Sequence, residues 1–289
     1  MNPSVELVEQ FEAARPRLTS LAHRIVGSRQ DAEDAVQTAW LRTQTAGHAE
    51  LENPDGWFTT TTARLCLDQL RRRERRGELL RPAAELPGEQ VAADEEFLRR
   101  EDVSRALLVL LDRLSSRQRV AYVLHDLFAL PFDQIAAVLD TSTDAAKKLA
   151  GRARTALHAT PPALPAQSAE HLAIVDAFLS AARGGDIERL VTLLAPDAVR
   201  NADALLLPRA AATTVRGARA IAEETRHFAD RIAAAAPVLV DGVLGAVIAP
   251  GGHPFAFIRF RFGDGAITRI DIVPYSVDVV ILSVPRGLA

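Results

Sequence analysis

Helical periodicity runs almost without a break through residues 1–160, and strand-like alternation begins only after about residue 198. This segregation predicts separate modules, helical first and mixed α and β last. At 289 residues the chain has room for two or three domains, and with 48% hydrophobic and 25% charged residues it reads as soluble and globular. The start MNPSVELVEQFE carries acid where a secretory signal needs a basic stretch and an apolar core, and the most apolar later stretch, Pro237 to Pro250, is interrupted by Asp241. No membrane partner is expected, and a cytoplasmic location follows. Cys66 stands alone, so no disulfide framework or cysteine metal site is expected within the chain. His125 and His158 are isolated and lack metal-ligand spacing, so neither a metal nor a cofactor is assigned.

In SRQDAEDAVQTAWLRTQ, Gly27 stops one helix and Ser28, three residues before Asp31, starts the next in the manner of a capping box. Ala32, Ala35, Val36, Ala39 and Trp40 recur at helical spacing. That leaves Asp34, Gln37, Thr38 and Leu41 on another face, available to a partner. A polar, turn-prone segment, QTAGHAELENPDG, leads into a further helix from Trp57. Phe58, Thr62, Leu65, Cys66 and Leu70 line one side of it, which makes Cys66 a core residue. Arg64, Asp68, Arg71, Arg72 and Arg75 line the other, with Asp68 and Arg72 spaced for a pair. The arginines read either as a nucleic-acid contact or as a solvated helix end that complements the helix dipole. Trp57 and Phe58 read as core aromatics or as a platform on which a base stacks.

Residues 79–104 hold Pro82, Pro87 and Gly88 and then Asp94, Glu95, Glu96, Glu101 and Asp102, an acidic connector leading into a helix. Its acid offsets the arginines, so the formal net charge of −3 hides a basic face. From Leu114 to Leu157 the spacing predicts a helix-turn-helix. Val120, Val123, Leu124 and Leu127 form one stripe. Pro131 opens a short helix with Ile135, Ala136 and Leu139 inside, and Asp140 to Ser142 turn the chain. Ser142 or Thr143 caps the next helix, which buries Ala146, Leu149, Ala150, Ala153 and Leu157 and projects Asp144, Lys147, Lys148, Arg152 and Arg154. A helix of that kind enters the major groove with its first turns on base edges and its other cations on phosphates. An ordinary helical hairpin with solvated lysines is the competing reading, and Gly151 inside the helix costs roughly 1 kcal/mol relative to Ala.

DAEDAVQTAWLR, GWFTTTTARLCLDQLRRR and the 114–157 helix-turn-helix, in that order, resemble regions 2 and 4 of an extracytoplasmic-function sigma factor of the sigma-70 type, over about the first 160 residues. The resemblance implies that the Asp31–Arg42 helix binds the clamp of RNA polymerase core through Asp31, Asp34, Gln37, Thr38 and Leu41. It implies that the Gln44–Asp55 loop and the following helix capture and melt the −10 promoter element through Asn53, Trp57, Arg64, Arg71, Arg72 and Arg75. Thr143, Asp144, Lys147, Lys148, Arg152 and Arg154 would read the −35 element, and the acidic connector resembles a segment that threads the transcript exit path.

ATPPALPAQSAEH separates a last module. Ser168 caps a helix ended by Gly184-Gly185, Asp186 starts another, strands occupy part of 198–216 and a third helix 217–236. A meander follows, with Ala256, Ile258, Phe260 and Phe262 on one side and a hairpin turn at Gly263-Asp264-Gly265. This order resembles the SnoaL-like cone fold over about residues 168–275, a domain that in some sigma factors of this kind regulates activity from within the chain. RNADALLLPRAA stands where that group has an Asp-Gly-Gly-Gly stretch, VPYSVDVV where it has Asn-Pro-Asp-Lys-Leu, and only Leu86-Pro87 remains of a Trp-Leu-Pro element.

The fold class expected is therefore multidomain: two all-α sigma domains, a region 2 bundle (1–78) and a region 4 helix-turn-helix (105–160), then an α+β SnoaL-like domain (168–289). The acidic linker spans 79–104 and a Pro-rich linker 161–167. Partners are RNA polymerase core and promoter DNA, with a small-molecule ligand in the C-terminal domain left open. No catalytic residue is assigned. The alternative is a ligand-sensing or enzymatic domain of isomerase or cyclase type fused to a DNA-binding regulator. For it Asp203, His227, His253, Asp271 and Tyr275 qualify by residue type, Asp271 facing inward only if the strand register allows.

Overall fold

The computed structural model describes residues 3–45, 53–77, 82–101, 104–157, 168–209, 211–276, 279 and 281–282. Most of the 44–55 loop, the 161–167 linker, His158 and part of VPYSVDVV lie outside the described residues. No described helix is long and apolar enough to cross a membrane. The chain divides into two compact units, one from residues 1–81, 99–102 and 111–157, the other from 82–98, 103–110 and 158–289.

The first unit begins with α1 (Pro3–Val26), α2 (Arg29–Thr45) and α3 (Pro54–Arg76). The Ser28 hydroxyl accepts from the Asp31 amide at 3.4 Å, so the cap read from sequence is present. Ala32, Ala35, Val36 and Ala39 are buried against α1 and α3 as their spacing predicts, together with Leu18, Leu21 and Ile25 of α1. Phe11 stacks on Trp40 at 4.8 Å between ring centroids and meets Phe58 edge-on at 5.2 Å, an aromatic knot joining all three helices. Asn53 caps α3 by accepting from the Gly56 amide at 3.0 Å. Phe58, Thr62, Cys66 and Leu70 are buried as expected, and Leu67 joins them while Leu65 is half-buried: the apolar stripe is centred slightly beside the one expected. Asp68 and Arg72 make no side-chain pair. Arg72 instead donates to the Asp68 carbonyl at 3.3 Å, and Asp68 lies 3.9 Å from Arg71.

Burial, with a smaller contribution from the Asp31 charge, pushes the Cys66 thiol up to about 12. At pH 8 the native protein is therefore expected to resist iodoacetamide and to react fully once denaturant opens the core. Alkylation in buffer alone at the rate of a free thiol would place Cys66 outside that core.

Helices α4 (Gly88–Glu101) and α5 (Arg105–Leu111) follow in the chain and belong mostly to the second unit. The first unit resumes with α6 (Ser116–Tyr122), α7 (Phe132–Leu139) and α8 (Thr143–Leu157). Ser115 and Gln118 form a complete capping box on α6. The stripe read through Leu127 holds for Val120, Val123 and Leu124. From Val123 to Leu127 the backbone widens into a π turn, with the Phe128 amide reaching the Val123 carbonyl at 3.2 Å, and Leu127 is left half-buried. Asp140 takes a left-handed conformation to turn the chain, and Ser142, rather than Thr143, caps α8 through the Ala145 amide at 3.2 Å. Helix α8 runs through Gly151 without interruption.

The second unit carries α9 (Ser168–Gly184), α10 (Ile187–Leu193), β1 (Leu194–Ala202), β2 (Thr214–Arg216), α11 (Ala218–Thr225) and α12 (Ala229–Ala233). Strands β3 (Ala235–Val240), β4 (Val243–Ile248), β5 (Ala256–Gly263), β6 (Ala266–Pro274) and β7 (Ile281–Leu282) complete it. The sheet order is β2-β1-β6-β5-β4-β3-β7. The antiparallel meander expected from sequence is β3 to β6, and β1 joins it in parallel with β6, a pairing that no local pattern announces. Ala256, Ile258 and Phe260 face the helices with Phe178, Leu179, Ile221 and Ile270, forming the core of an α+β fold.

The segment from Pro82 to Leu98 folds onto this sheet. The Ala83 amide donates to the Pro254 carbonyl at 3.0 Å and the Gly251 amide to Glu95 at 2.8 Å. Buried Asp94 meets buried His253 at 2.9 Å. Acid read as a connector's surface is here structural, since a carboxylate taken out of water needs such partners.

Candidate nucleic-acid interface

On α2, Asp34, Gln37 and Leu41 are exposed and Thr38 is half-buried, so they share one outward surface; Leu41 keeps 52% of its area in solvent. Asp31 departs from that group. Its carboxylate pairs with Arg73, which also donates to the Val26 carbonyl at 2.8 Å. Nothing in the sequence pattern singles out Arg73 from the row of arginines in which it stands. It turns inward because the end of α1 offers an unpaired carbonyl and a carboxylate stands beside it.

The rest of the row behaves otherwise. Arg72 and Arg75 are exposed and Arg71 is half-buried at the C-terminal end of α3, while Trp57 lies half-buried at its start, edge-on to Phe58 at 5.9 Å. Asn53 serves as the helix cap, and Arg64 donates to the Ala137 carbonyl of α7 at 2.7 Å. The six residues assigned to one element thus occupy the full length of α3, and Arg64 is engaged by the helix-turn-helix.

Helix α8 separates its faces cleanly. Ala146, Ala150, Ala153 and Leu157 are buried, whereas Thr143, Asp144, Lys147, Lys148 and Arg152 are exposed. Asp144 sits 3.8 Å from Lys147, an exposed contact of little energetic weight. Arg154 is half-buried and donates to Asp126, a bond that raises its pKa further and ties the end of α8 to the π turn.

A buried cation joins the two helical parts of this unit. Arg119 of α6, 2% exposed, pairs with Asp112 and donates from Nε to the Arg24 carbonyl at 3.2 Å. Beside it, Ser116 donates to Glu74 at 2.7 Å. Sequence reasoning missed Arg119 because an arginine next to a hydrophobic stripe reads as surface.

The second unit holds a cavity of about 60 Å³ between its sheet and helices, walled by Phe178, Ile221, Ile248, Ile258, Ile270 and Ile272. None of Asp203, His227, His253, Asp271 and Tyr275 lines it. Asp203 and His227 are exposed, and His253 is held by Asp94. Asp271 points away from the cavity that Ile270 and Ile272 line, accepting from Asn201 at 3.1 Å and from Arg269 at 2.9 Å; the register puts it on the opposite face. Among the described residues there is no group of three or more metal-ligating side chains.

An arginine-bearing helical bundle followed by a helix-turn-helix with a cationic outer face is the arrangement of a two-part DNA-binding protein. The family model for Sigma-70 region 2 matches residues 10–76 and that for Sigma-70, region 4, matches residues 104–157. The chain is 39% identical over 219 residues to the ECF RNA polymerase sigma factor SigJ of Mycobacterium tuberculosis, spanning 73% of this chain and 69% of the relative. It is 33% identical over 205 residues to the probable ECF RNA polymerase sigma factor SigI of the same species, spanning 67% and 69%. A crystal structure of the Mycobacterium tuberculosis extracytoplasmic function sigma factor SigJ aligns over 92% of this chain and 96% of that one, at 32% identity and a TM-score of 0.43. The chain belongs to the extracytoplasmic-function sigma factors of RNA polymerase.

Proposed function

We propose that this protein directs promoter-specific transcription initiation together with RNA polymerase core, acting in the cytoplasm, with residues 1–78 and 105–160 as its two promoter-facing domains. The observation that carries the reading is the two-faced helix α8, whose small apolar residues pack inward while Lys147, Lys148 and Arg152 stand in solvent. A helix so exposed fits the major groove, and its cations reach phosphates on either side. In this reading Thr143 and Asp144, at the first turn, meet base edges of the −35 element, while Lys147, Lys148, Arg152 and Arg154 hold its backbone. Asn53, Trp57, Arg64, Arg71, Arg72 and Arg75 serve the −10 element. Asp31, Asp34, Gln37, Thr38 and Leu41 meet the polymerase, Asp31 through the position that Arg73 gives it. Residues 168–289, with the Pro82–Leu98 segment seated on them, modulate this activity and perform no catalytic step.

In vitro transcription with core polymerase over a promoter library tests the whole reading, since template-selective transcripts that require this protein are its signature. A regulator that binds duplex DNA alone would neither co-purify with core nor give such transcripts. Changing Lys147 and Lys148 together to Ala is expected to weaken promoter binding across sequences. Each lost phosphate contact removes about 0.9 from the slope of log affinity against log salt, so the slope falls by about 1.8. An unchanged slope would remove α8 from the interface.

A further inference from the structure

We propose that the cavity of the C-terminal unit is a binding site for a compact, neutral, largely apolar molecule that donates a hydrogen bond, such as a phenol or an aliphatic alcohol, and that Glu224 receives that bond. The proposal does not depend on the promoter-directed reading, because it concerns binding that is measured directly.

The size and wall set the body of the ligand. About 60 Å³ is several times the roughly 10–15 Å³ that admits one water, and the wall is almost entirely aliphatic and aromatic. Half-buried Leu207, Phe228, Phe255 and Ile272 and the exposed Arg231 mark its open side, through which a ligand longer than the cavity extends.

The polar groups set the ligand's chemistry. Arg200, 4% exposed, uses all five of its N–H bonds. Nε and one Nη2 hydrogen go to Glu224, both Nη1 hydrogens to the Ala212 and Thr213 carbonyls, and the other Nη2 hydrogen to Ala212. It has no donor left for a ligand. Thr225 spends its hydroxyl proton on the Ile221 carbonyl at 2.7 Å, leaving only lone pairs. Glu224 accepts one bond on each oxygen from Arg200, and a carboxylate has about four acceptor sites, so it too offers only acceptance. At the exposed rim, outside the enclosed interior, Arg231 donates from Nη1 to the Leu206 carbonyl and lies over the rings of Phe228 at 5.8 Å and Phe255 at 5.3 Å. The interior therefore presents acceptors on an apolar wall. A ligand carboxylate would face the Glu224 charge with no free donor inside, whereas a hydroxyl supplies the proton that the wall lacks.

Three molecules of one shape separate these cases on the full-length protein: p-cresol, toluene and 4-methylbenzoate, titrated by calorimetry and followed by isoleucine methyl NMR. We expect saturable p-cresol binding with shifts at Ile258 and Ile270, at least about tenfold tighter than toluene, since a hydrogen bond to a charged acceptor is worth that much. No 4-methylbenzoate binding is expected. Ile272→Trp, which plugs the open side without touching the ion pair, should abolish binding of both neutral probes. Glu224→Gln should bring p-cresol within about threefold of toluene, because the amide is a weaker acceptor than the carboxylate. Equal affinity for p-cresol and toluene, tighter binding of 4-methylbenzoate, or no binding by any probe would each overturn the proposal. Promoter-directed transcription by the same preparation without a probe reports separately on the sigma factor reading.

Discussion

Arg119→Ala will lower the unfolding free energy of the first unit by about 3–5 kcal/mol, the usual cost of leaving one member of a buried ion pair behind. The guanidinium is 3% exposed and its partner Asp112 14%, so water replaces neither side of the bond. The same side chain satisfies the Arg24 carbonyl near the end of α1, where helix carbonyls have no intrahelical partner and where a cation is favoured by the helix dipole. A Cβ added at Gly27 would stand 3.3 Å from Arg119 Nη2, which shows how closely the chain wraps this group. Urea unfolding followed by far-UV circular dichroism measures the loss as a shifted midpoint with unchanged slope. Arg119→Lys should recover only part of it, since an ammonium cannot reach both the carboxylate and the carbonyl in the geometry of the planar fork. A change below about 0.5 kcal/mol, the range of ordinary surface substitutions, would mean that the pair is not formed in solution.

That a residue so central escaped the sequence reading marks a general limit of periodicity. The helices of the first unit were legible because their apolar residues repeat locally: Ala32, Ala35, Val36 and Ala39 on α2, or Ala146, Ala150 and Ala153 on α8, are buried where spacing put them. Charged side chains carry no such signal, and their partners are chosen by tertiary proximity. Arg73 and Arg72 look alike in RRRERR, yet one finds Asp31 across 42 positions and the other only its own helix. Helical spacing puts Arg64 on an outward face, where it lies, but its bond to Ala137, 73 positions away, depends on how α7 packs. In the second unit the meander was readable from alternation, whereas the parallel pairing of β1 with β6 joins segments some 70 residues apart. The face of Asp271 depends on that register, which turns Ile270 and Ile272 toward the cavity and Asp271 away from it. Asp94 shows the same limit in the other direction: an acidic run reads as solvated, and burial of one member against His253 follows from a loop that comes 159 positions later.

Gly251→Val tests that last contact and carries the second large effect. Gly251 holds a φ of +63°, a left-handed conformation that strains a β-branched residue, at a cost of about 1–3 kcal/mol. A Cβ there would stand 2.8 Å from the Val91 carbonyl oxygen and 3.0 Å from the Asp94 Cβ, both on the helix that the loop cradles. The first of these is backbone and cannot swing aside, so overpacking adds about another 1–3 kcal/mol unless α4 itself moves. Moving α4 in turn breaks the bond from the Gly251 amide to Glu95 and draws Asp94 from His253, so the relief is itself unfavourable. The two routes predict the same observable: amide hydrogen exchange across residues 91–98 should quicken by at least about tenfold, corresponding to a local loss of about 1.4 kcal/mol or more, while α8 in the other unit keeps its protection. If the 91–98 amides exchange as slowly in the variant as in the parent, α4 is not seated on the Gly251 loop, and the carboxylates of this segment are free to serve as the surface acid that their sequence suggests.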